Sequence, residues 1–385
     1  MQSFRFQTVP TIVTEFGAAR RLGELLREQY PAQKRVCLVT DGFLHKSGLL
    51  APALADLFKH GWEVTVIDDV IADPPEHIVL EAAERARKAQ AEVVLGLGGG
   101  SSMDVAKLLA VLVPGEQALK DMYGIKKVAG VRLPLVQIPT TAGTGSEVTA
   151  VSIVTTGETT KMGVVAPQLY ADLAILDAEL TLGLPRAATA YTGIDAMVHA
   201  IEAFTTAHLK NPVSDMLAVR ALELLSQNIL VACNDGQNRE AREAMLLGAM
   251  FAGQSFANAP VGAVHALAYP IGGIFHVPHG LSNSLVLAPV LKYNAPAASK
   301  LYAELADVMV PGVTGSDESK TEALIAYVEQ LVIDTAIPKT LREVGVKEAD
   351  LARMASDAML QTRLLGNNPR KVEEADALAI YTAAF

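Results

Sequence analysis

Four short apolar runs, "RVCLVT" (35–40), "EVTVID" (63–68), "AEVVLGLG" (91–98) and "LPLVQIP" (133–139), alternate with helical stretches such as "LLAPALADLFKHG" and "HIVLEAAERARKAQ". Strands rich in Val, Ile and Leu that are separated by amphipathic helices bury both faces when they form a parallel sheet with helices on either side. An opening pair, "FRFQ" and "TIVTEFG", reads as an early hairpin or as edge strands. From about residue 185 the strand pattern stops. "MLAVRALELLSQNILVAC", "REAREAMLLGAMFAGQSFA", "TEALIAYVEQLVID" and "ADLARMASDAML" keep apolar residues at helical spacing. The expectation is an α/β domain with a mostly parallel sheet over residues 1–184 and an all-α domain over 185–385, joined near "GLPRAATA" (183–190). A chain of 385 residues is also long for a single core.

Charge and cysteine usage narrow the class. A net charge of −10 makes the electrostatic term toward nucleic acid or an anionic membrane repulsive overall. Cys37 and Cys233, the two cysteines, supply neither a disulfide framework nor a Cys-based zinc site, and Cys37 sits in an apolar run where an inert buried thiol is expected. The opening "MQSFRFQTVPTIVTEF" has no continuous apolar region or cleavage signal, and no run approaches the roughly 18 apolar residues of a membrane span. A soluble, cytoplasmic protein is the expectation.

"GLGGGSSMDVAK" follows the run "AEVVLGLG" and opens a helix. Glycines between a strand and a helix N-terminus let backbone N–H groups approach a phosphate, which the helix dipole favours. Gly98, Gly99 and Gly100 allow that approach, and Ser101 or Ser102 is placed to cap the helix and to donate to phosphate. No Gly-Lys-Ser/Thr follows, so this is not a Walker loop, nor is it a fingerprint in the first βα turn. A second polar loop, "QIPTTAGTGSEVT" (137–149), suits a ligand cleft at the carboxyl end of the strands. Asp41, closing "RVCLVTDG", is placed as an acid that bonds an adenine ribose and repels a 2′-phosphate, or as a plain turn residue.

"TGIDAMVHAIEAF" (192–204) carries Asp195 and His199 four apart, on one face of a helix whose neighbours are Met, Val, Ala and Ile. That spacing suits two ligands of one metal. "GAVHALAYPIGGIFHVPHG" adds His265, His276 and His279. One carboxylate with three imidazoles suits a divalent first-row metal, Fe²⁺ or Zn²⁺.

These motifs together resemble the iron-containing (group III) alcohol dehydrogenase family over nearly the whole chain. "GGGSSMDVAK" and "PTTAGTGSEVT" resemble its cofactor loops, and "GIDAMVHAIEA" and "HALAYPIGGIFHVPHG" its two metal motifs. The resemblance implies metal ligation by Asp195, His199, His265 and His279. It implies NAD contacts from Asp41, Gly99, Gly100, Ser101 and Asp104, and from Thr140, Thr141, Thr144, Thr149 and Lys161. The implied fold is dehydroquinate synthase-like: an N-terminal α/β dinucleotide-binding domain and a C-terminal all-α metal domain, usually in homo-oligomers built on dimers. The implied reaction interconverts small primary alcohols or diols with aldehydes by hydride transfer to NAD, the metal lowering the pKa of the alcohol.

One position departs from the commoner pattern. Many members carry a second histidine four residues after the third ligand, where this chain has Tyr269. A phenol with an ordinary pKa near 10 is a poor base at neutrality, which leaves Tyr269 and His276 as the candidate relay or wall residues. The tyrosine also resembles the hydroxyacid–oxoacid transhydrogenase branch, the alternative reading. A dehydroquinate synthase-like lyase would need a basic pocket, and no Lys/Arg cluster accompanies the metal motifs. Tyr123 and Lys127 have the spacing of the short-chain dehydrogenase pair, but the Gly-rich first βα turn of those enzymes is missing.

Overall fold

The computed structural model describes residues 3–157 and 160–385. They divide into two compact units: Thr8–Thr141 with Gly145–Gly183, and Leu184–Phe385 with Ala142–Thr144 and the residues up to Gln7.

The first unit contains β1 (Thr11–Thr14), β2 (Arg35–Asp41), β3 (Glu63–Val70), β4 (Val93–Gly98), β5 (Gly124–Ile125), β6 (Leu135–Pro139), β7 (Val151–Thr156), β8 (Thr160–Val165) and β9 (Leu173–Leu176). Its helices are α1 (Leu22–Gln29), α2 (Gly42–Lys46), α3 (Ala51–Lys59), α4 (Glu76–Lys88) and α5 (Gly100–Leu112). Six strands form one parallel sheet in the order β1-β9-β6-β4-β2-β3. The chain leaves β2 for β3 on one side, and leaves β4 for β6 on the other. The carboxyl ends of β2 and β4 therefore flank a topological switch point, where open α/β sheets bind ligands.

One face of this sheet packs Leu38, Leu95, Ile138 and Ile175 against Leu22 and Leu26 of α1 and Leu57 of α3, with Trp62 buried beside them. Cys37 is fully buried, and burial pushes its thiol up to about 12, so it is inert near neutrality.

The structure departs from the sequence reading at three places here. "FRFQ" forms no strand, so there is no opening hairpin, whereas "TIVT" is the edge strand that the alternative reading expected, pairing in parallel with β9. β9 was not anticipated: "LAIL" is only four residues long, too short for a periodicity to register. A second sheet, β5-β8-β7, also appears, with β7 and β8 antiparallel.

The second unit holds α6 (Arg186–Thr205), α7 (Pro212–Asn234), α8 (Arg239–Asn258), α9 (Ala263–Phe275), α10 (His279–Met309), α11 (Asp317–Thr335), α12 (Leu351–Met359), α13 (Thr362–Leu365) and α14 (Glu374–Ala384). α6 is the central helix: every residue from Gly193 to Thr205 is buried, and α7, α8 and α10 pack around it. A helix buried on all sides is apolar all round, which makes its acids and imidazole conspicuous. α7 has the length and hydropathy of a membrane span, with a mean of 1.4 over 18 residues. Asp215, Arg220 and Glu223 interrupt it, and one face, with Ala218, Leu222, Leu225 and Ile229, is buried against neighbouring helices, while Met216 and Val231 are exposed.

Candidate active site

At the switch point, Asp41 is the N-cap of α2, its Oδ1 accepting from the N–H groups of Phe43 and Leu44 at 3.0 and 2.9 Å. Both bonds use Oδ1, leaving Oδ2 as an acceptor at the strand end. At the end of β4 the N-cap of α5 is Gly99, without a side-chain cap. Ser101 and Ser102 lie inside the helix, so neither supplies the cap expected of them; the first-turn N–H groups remain open to an anion. Thr140 donates its N–H to Gly98 O at 3.0 Å, which sets the hydroxyl-rich loop beside the glycines. Asp73, in the left-handed region at φ 51°, donates its N–H to Ser101 Oγ and accepts from Lys161 Nζ at 2.6 Å. Gly100, Ser101, Thr141 and Lys161 are thereby gathered around the α5 N-terminus.

Asp104 and Thr149 are engaged with a residue the sequence reading did not single out, Lys107. Its fully buried ammonium donates to Ser146 Oγ at 2.6 Å, Thr149 Oγ1 at 3.0 Å and Val151 O at 2.7 Å, with Asp104 Oδ1 at 3.5 Å. Asp104 accepts from Ser146 Oγ and from Ile153 N–H. Burial pushes the Lys107 ammonium down and the Asp104 carboxyl up, and each charge offsets the other's penalty. Burial also raises the neighbouring Glu147 carboxyl to about 7. The network fixes the loop from Ser146 to Thr149 onto α5. Tyr123, the other motif residue, donates to Glu76 Oε1 at 2.8 Å.

In the helical unit, three side chains from three helices converge. Asp195 of α6, His265 of α9 and His279, the first residue of α10, each offer a ligand atom within 4.8 Å of the others. Asp195 Oδ1 stands 3.9 Å from His265 Nε2 and 3.7 Å from His279 Nε2. Asn283, one turn into α10 and unanticipated from the sequence, points its Nδ2 at all three: 2.5 Å from Asp195 Oδ1 and 3.3 Å from each Nε2. Its Oδ1 is buried with no partner.

His199 is not in that set of three. Its ring stacks between Phe256, at 4.3 Å, and His265, at 4.6 Å, and its buried Nδ1 has no hydrogen-bond partner. Burial drives the His199 pKa down to about 3, so the ring is neutral at physiological pH. Burial alone would raise the Asp195 carboxyl, but the three imidazoles and Asn283 hold it below its usual range. Tyr269, one turn beyond His265, stands 6.1 Å from the His279 ring. His276 ends α9 in the left-handed region at φ 55° and is exposed. Ala142–Thr144 clusters with this unit, Gly143 lying against Thr192 of α6, so Thr144 belongs here and not with Thr140 and Thr141.

Gly280 lets α10 start against α6. A Cβ there would lie 2.2 Å from Tyr191 O and 3.1 Å from Asp195 Cβ. Gly280→Ala is therefore expected to destabilise the helical unit by roughly 1–3 kcal/mol through overpacking. An unfolding midpoint equal to that of the wild type would contradict this close approach.

A doubly wound sheet with an open helix N-terminus at its switch point, and a helical unit with a buried carboxylate–imidazole cluster, are the parts of a dinucleotide- and metal-dependent oxidoreductase. Family descriptions match both: "Iron-containing alcohol dehydrogenase" over residues 10–178 and "Fe-containing alcohol dehydrogenase family, C-terminal" over 189–385. The chain belongs to the iron-containing alcohol dehydrogenase family, in which NAD- and iron-dependent activity is typical. It is 41% identical to long-chain-alcohol dehydrogenase 1 of Geobacillus thermodenitrificans, over 91% of this chain and 90% of that one. The structure of a 1,3-propanediol oxidoreductase superposes with a TM-score of 0.95 at 35% identity, covering 100% of both chains. A sulfoacetaldehyde reductase from Bifidobacterium kashiwanohense, solved in complex with NAD⁺, superposes with a TM-score of 0.88 at 27% identity, covering 100% of this chain and 99% of that one.

Proposed function

We propose that this enzyme interconverts small primary alcohols or diols with aldehydes, with Asp195, His199, His265 and His279 holding the iron. The convergence of Asp195 Oδ1, His265 Nε2 and His279 Nε2 carries this reading. The donors fit a divalent first-row ion, Fe²⁺ or Zn²⁺. Asn283 bridges Asp195 Oδ1 and the two Nε2 atoms, and the neutral imidazole of His199, whose Nδ1 has no hydrogen-bond partner, is a fourth donor close to them. When bound, the ion supplies Lewis-acid chemistry, lowering the pKa of an alcohol and polarising a carbonyl.

The chain's own groups do the rest. The open N-terminus of α5, with Gly99, Gly100 and Ser101, holds the cofactor's diphosphate, and Asp41 Oδ2 takes the adenine ribose and disfavours NADP. Thr140, Thr141 and Lys161 are the further cofactor contacts, while Asp104 and Thr149 act by fixing the loop. Residues 1–184 then form the NAD-binding domain, and 185–385 the metal-holding catalytic domain. Asp195 and Glu202 face histidines and not lysines or arginines, which suits an uncharged substrate better than a phosphorylated acid. Phe256 and Tyr269 supply apolar wall. His276, being exposed, is a weaker candidate relay than a water or a ribose hydroxyl. We place the enzyme in the cytoplasm as a homodimer or a multiple of it, with neither nucleic acid nor membrane as partner, in keeping with its net charge of −10.

The test is an anaerobic assay of the Fe²⁺-loaded protein with NAD⁺ and a panel of primary alcohols, diols and 2- or 4-hydroxy acids. Turnover of alcohols or diols is expected. Turnover confined to a hydroxy acid paired with an oxo acid, without free NAD⁺, would move the enzyme to the transhydrogenase reading. Tyr269→Phe is expected to keep most of kcat, since it removes one hydroxyl from a wall. A loss of about 10²- to 10⁴-fold, with metal and NAD still bound, would make the phenol a general base instead.

A further inference from the structure

The first N–H groups of a helix need acceptors, and α9 begins after Gly262, which has no side chain to offer. Two residues from elsewhere in the chain supply them. Asn368 Oδ1 takes the Ala263 N–H at 3.4 Å, and Glu202 Oε1 takes the Val264 N–H at 2.6 Å. A Cβ on Gly262 would lie 3.3 Å from Asn368 Oδ1 and 3.5 Å from Glu202 Oε1, so the missing side chain leaves room for both acceptors. Asn368 is itself braced by a reciprocal amide pair with Asn294, at 3.0 and 2.7 Å.

The second oxygen of Glu202 does something else. Oε2 lies 2.6 Å from His265 Nδ1, and the carboxylate is buried on α6, three residues beyond His199. We propose that Glu202 is a positioning residue that fixes the tautomer of His265. A carboxylate oxygen accepts, so Nδ1 carries the ring proton and Nε2 presents its lone pair toward Asp195 and His279. Because Oε1 is held by the first turn of α9, whose dipole favours the negative charge, ring and helix are set by one group. A geometry of this kind, a carboxylate behind a ligating imidazole, orients the ring and raises its basicity. The inference rests on the reading of His265 as a metal ligand.

Glu202→Gln separates positioning from mere capping. Its side-chain oxygen can still accept from Val264 N–H, but an NH₂ then faces His265 Nδ1, and the ring proton moves to Nε2. Titration of the metal-free protein with Zn²⁺, a redox-inert probe, is expected to show affinity weakened about 10- to 100-fold. NAD⁺ binding should stay at its wild-type value, and the unfolding midpoint of the metal-free protein should fall by no more than about 4 °C, the share of the lost charge at the helix terminus. Equal Zn²⁺ affinity in variant and wild type would overturn the role of Glu202 and leave the ligand reading standing. A wild type that takes up no Zn²⁺ would remove both. Histidine-selective ¹⁵N NMR of the wild type, with His265 assigned by its loss in His265→Asn, decides the matter should the variant misfold. An Nδ1–H ring is expected, and an Nε2–H ring overturns the proposal.

Discussion

His265→Ala is expected to strip the metal and to lower kcat/KM by about 10³-fold or more. A Lewis acid at a developing oxyanion contributes several kcal/mol, and each 1.36 kcal/mol is a factor of ten. The loss takes away one of the three converging donor atoms, leaving Asp195, His279 and the stacked ring of His199. It also leaves Glu202 Oε2 buried without its 2.6 Å partner, at a further cost of roughly 1–3 kcal/mol in stability. Affinity for NAD⁺ should persist, because the glycine turn and the Lys107 network lie in the other unit. Metal analysis, steady-state rates, thermal unfolding of the metal-free protein and calorimetry with NAD⁺ on one preparation test all four statements. A metal-free variant that turned over at the wild-type rate would remove the ion from the reaction.

Lys107→Met is expected to lower the stability of the α/β unit by about 3–5 kcal/mol, the typical result of breaking a buried ion pair from one side. Met roughly fills the volume, so little of the effect is a cavity. The cost comes from Asp104, left with the Ser146 hydroxyl and the Ile153 N–H but no cation. Three acceptors, Ser146 Oγ, Thr149 Oγ1 and Val151 O, lose their shared donor, so the loop should loosen and NAD⁺ affinity should fall with the melting temperature. In a two-unit chain the measurement is the calorimetric transition of this unit, since a single unfolding free energy is not defined. Adding Asp104→Asn should restore part of the loss, the signature of a coupled pair. A transition unmoved by Lys107→Met would show the buried charge to be dispensable.

The parts legible in the sequence were those with a strong local signature. β2, β3, β4 and β6 were apparent as apolar runs between helical stretches, and the switch from strand to helix texture near residue 185 followed from periodicity. Asp195 and His199 were conspicuous because a helix buried all round rarely carries an acid and an imidazole. What stayed hidden had no local signature. Glu202 and Asn283 look like ordinary helical residues until α9 and α10 are packed against α6. Lys107 reads as a surface lysine, yet it is wholly buried because two loop hydroxyls and a carbonyl reach it from a segment some forty residues on. α10 was obscured by Pro289 and Pro296, which argue against a continuous helix. β9 was lost because four residues carry too little pattern.

That the donors of the cluster sit on α6, α9 and α10 has a bearing on how the protein ages and is made. An ion held there ties together three helices whose contributions are spread from Asp195 to His279, so it acts as a reversible cross-link as well as a reagent. A ligand present at a hundred times its Kd adds about 2.7 kcal/mol to the folded state by mass action. Withdrawal of iron would then do more than idle the enzyme. It would lengthen the time α9 and α10 spend away from α6, and expose that segment to proteases. The quantity of enzyme in a cell would track its metal supply, through turnover of the polypeptide.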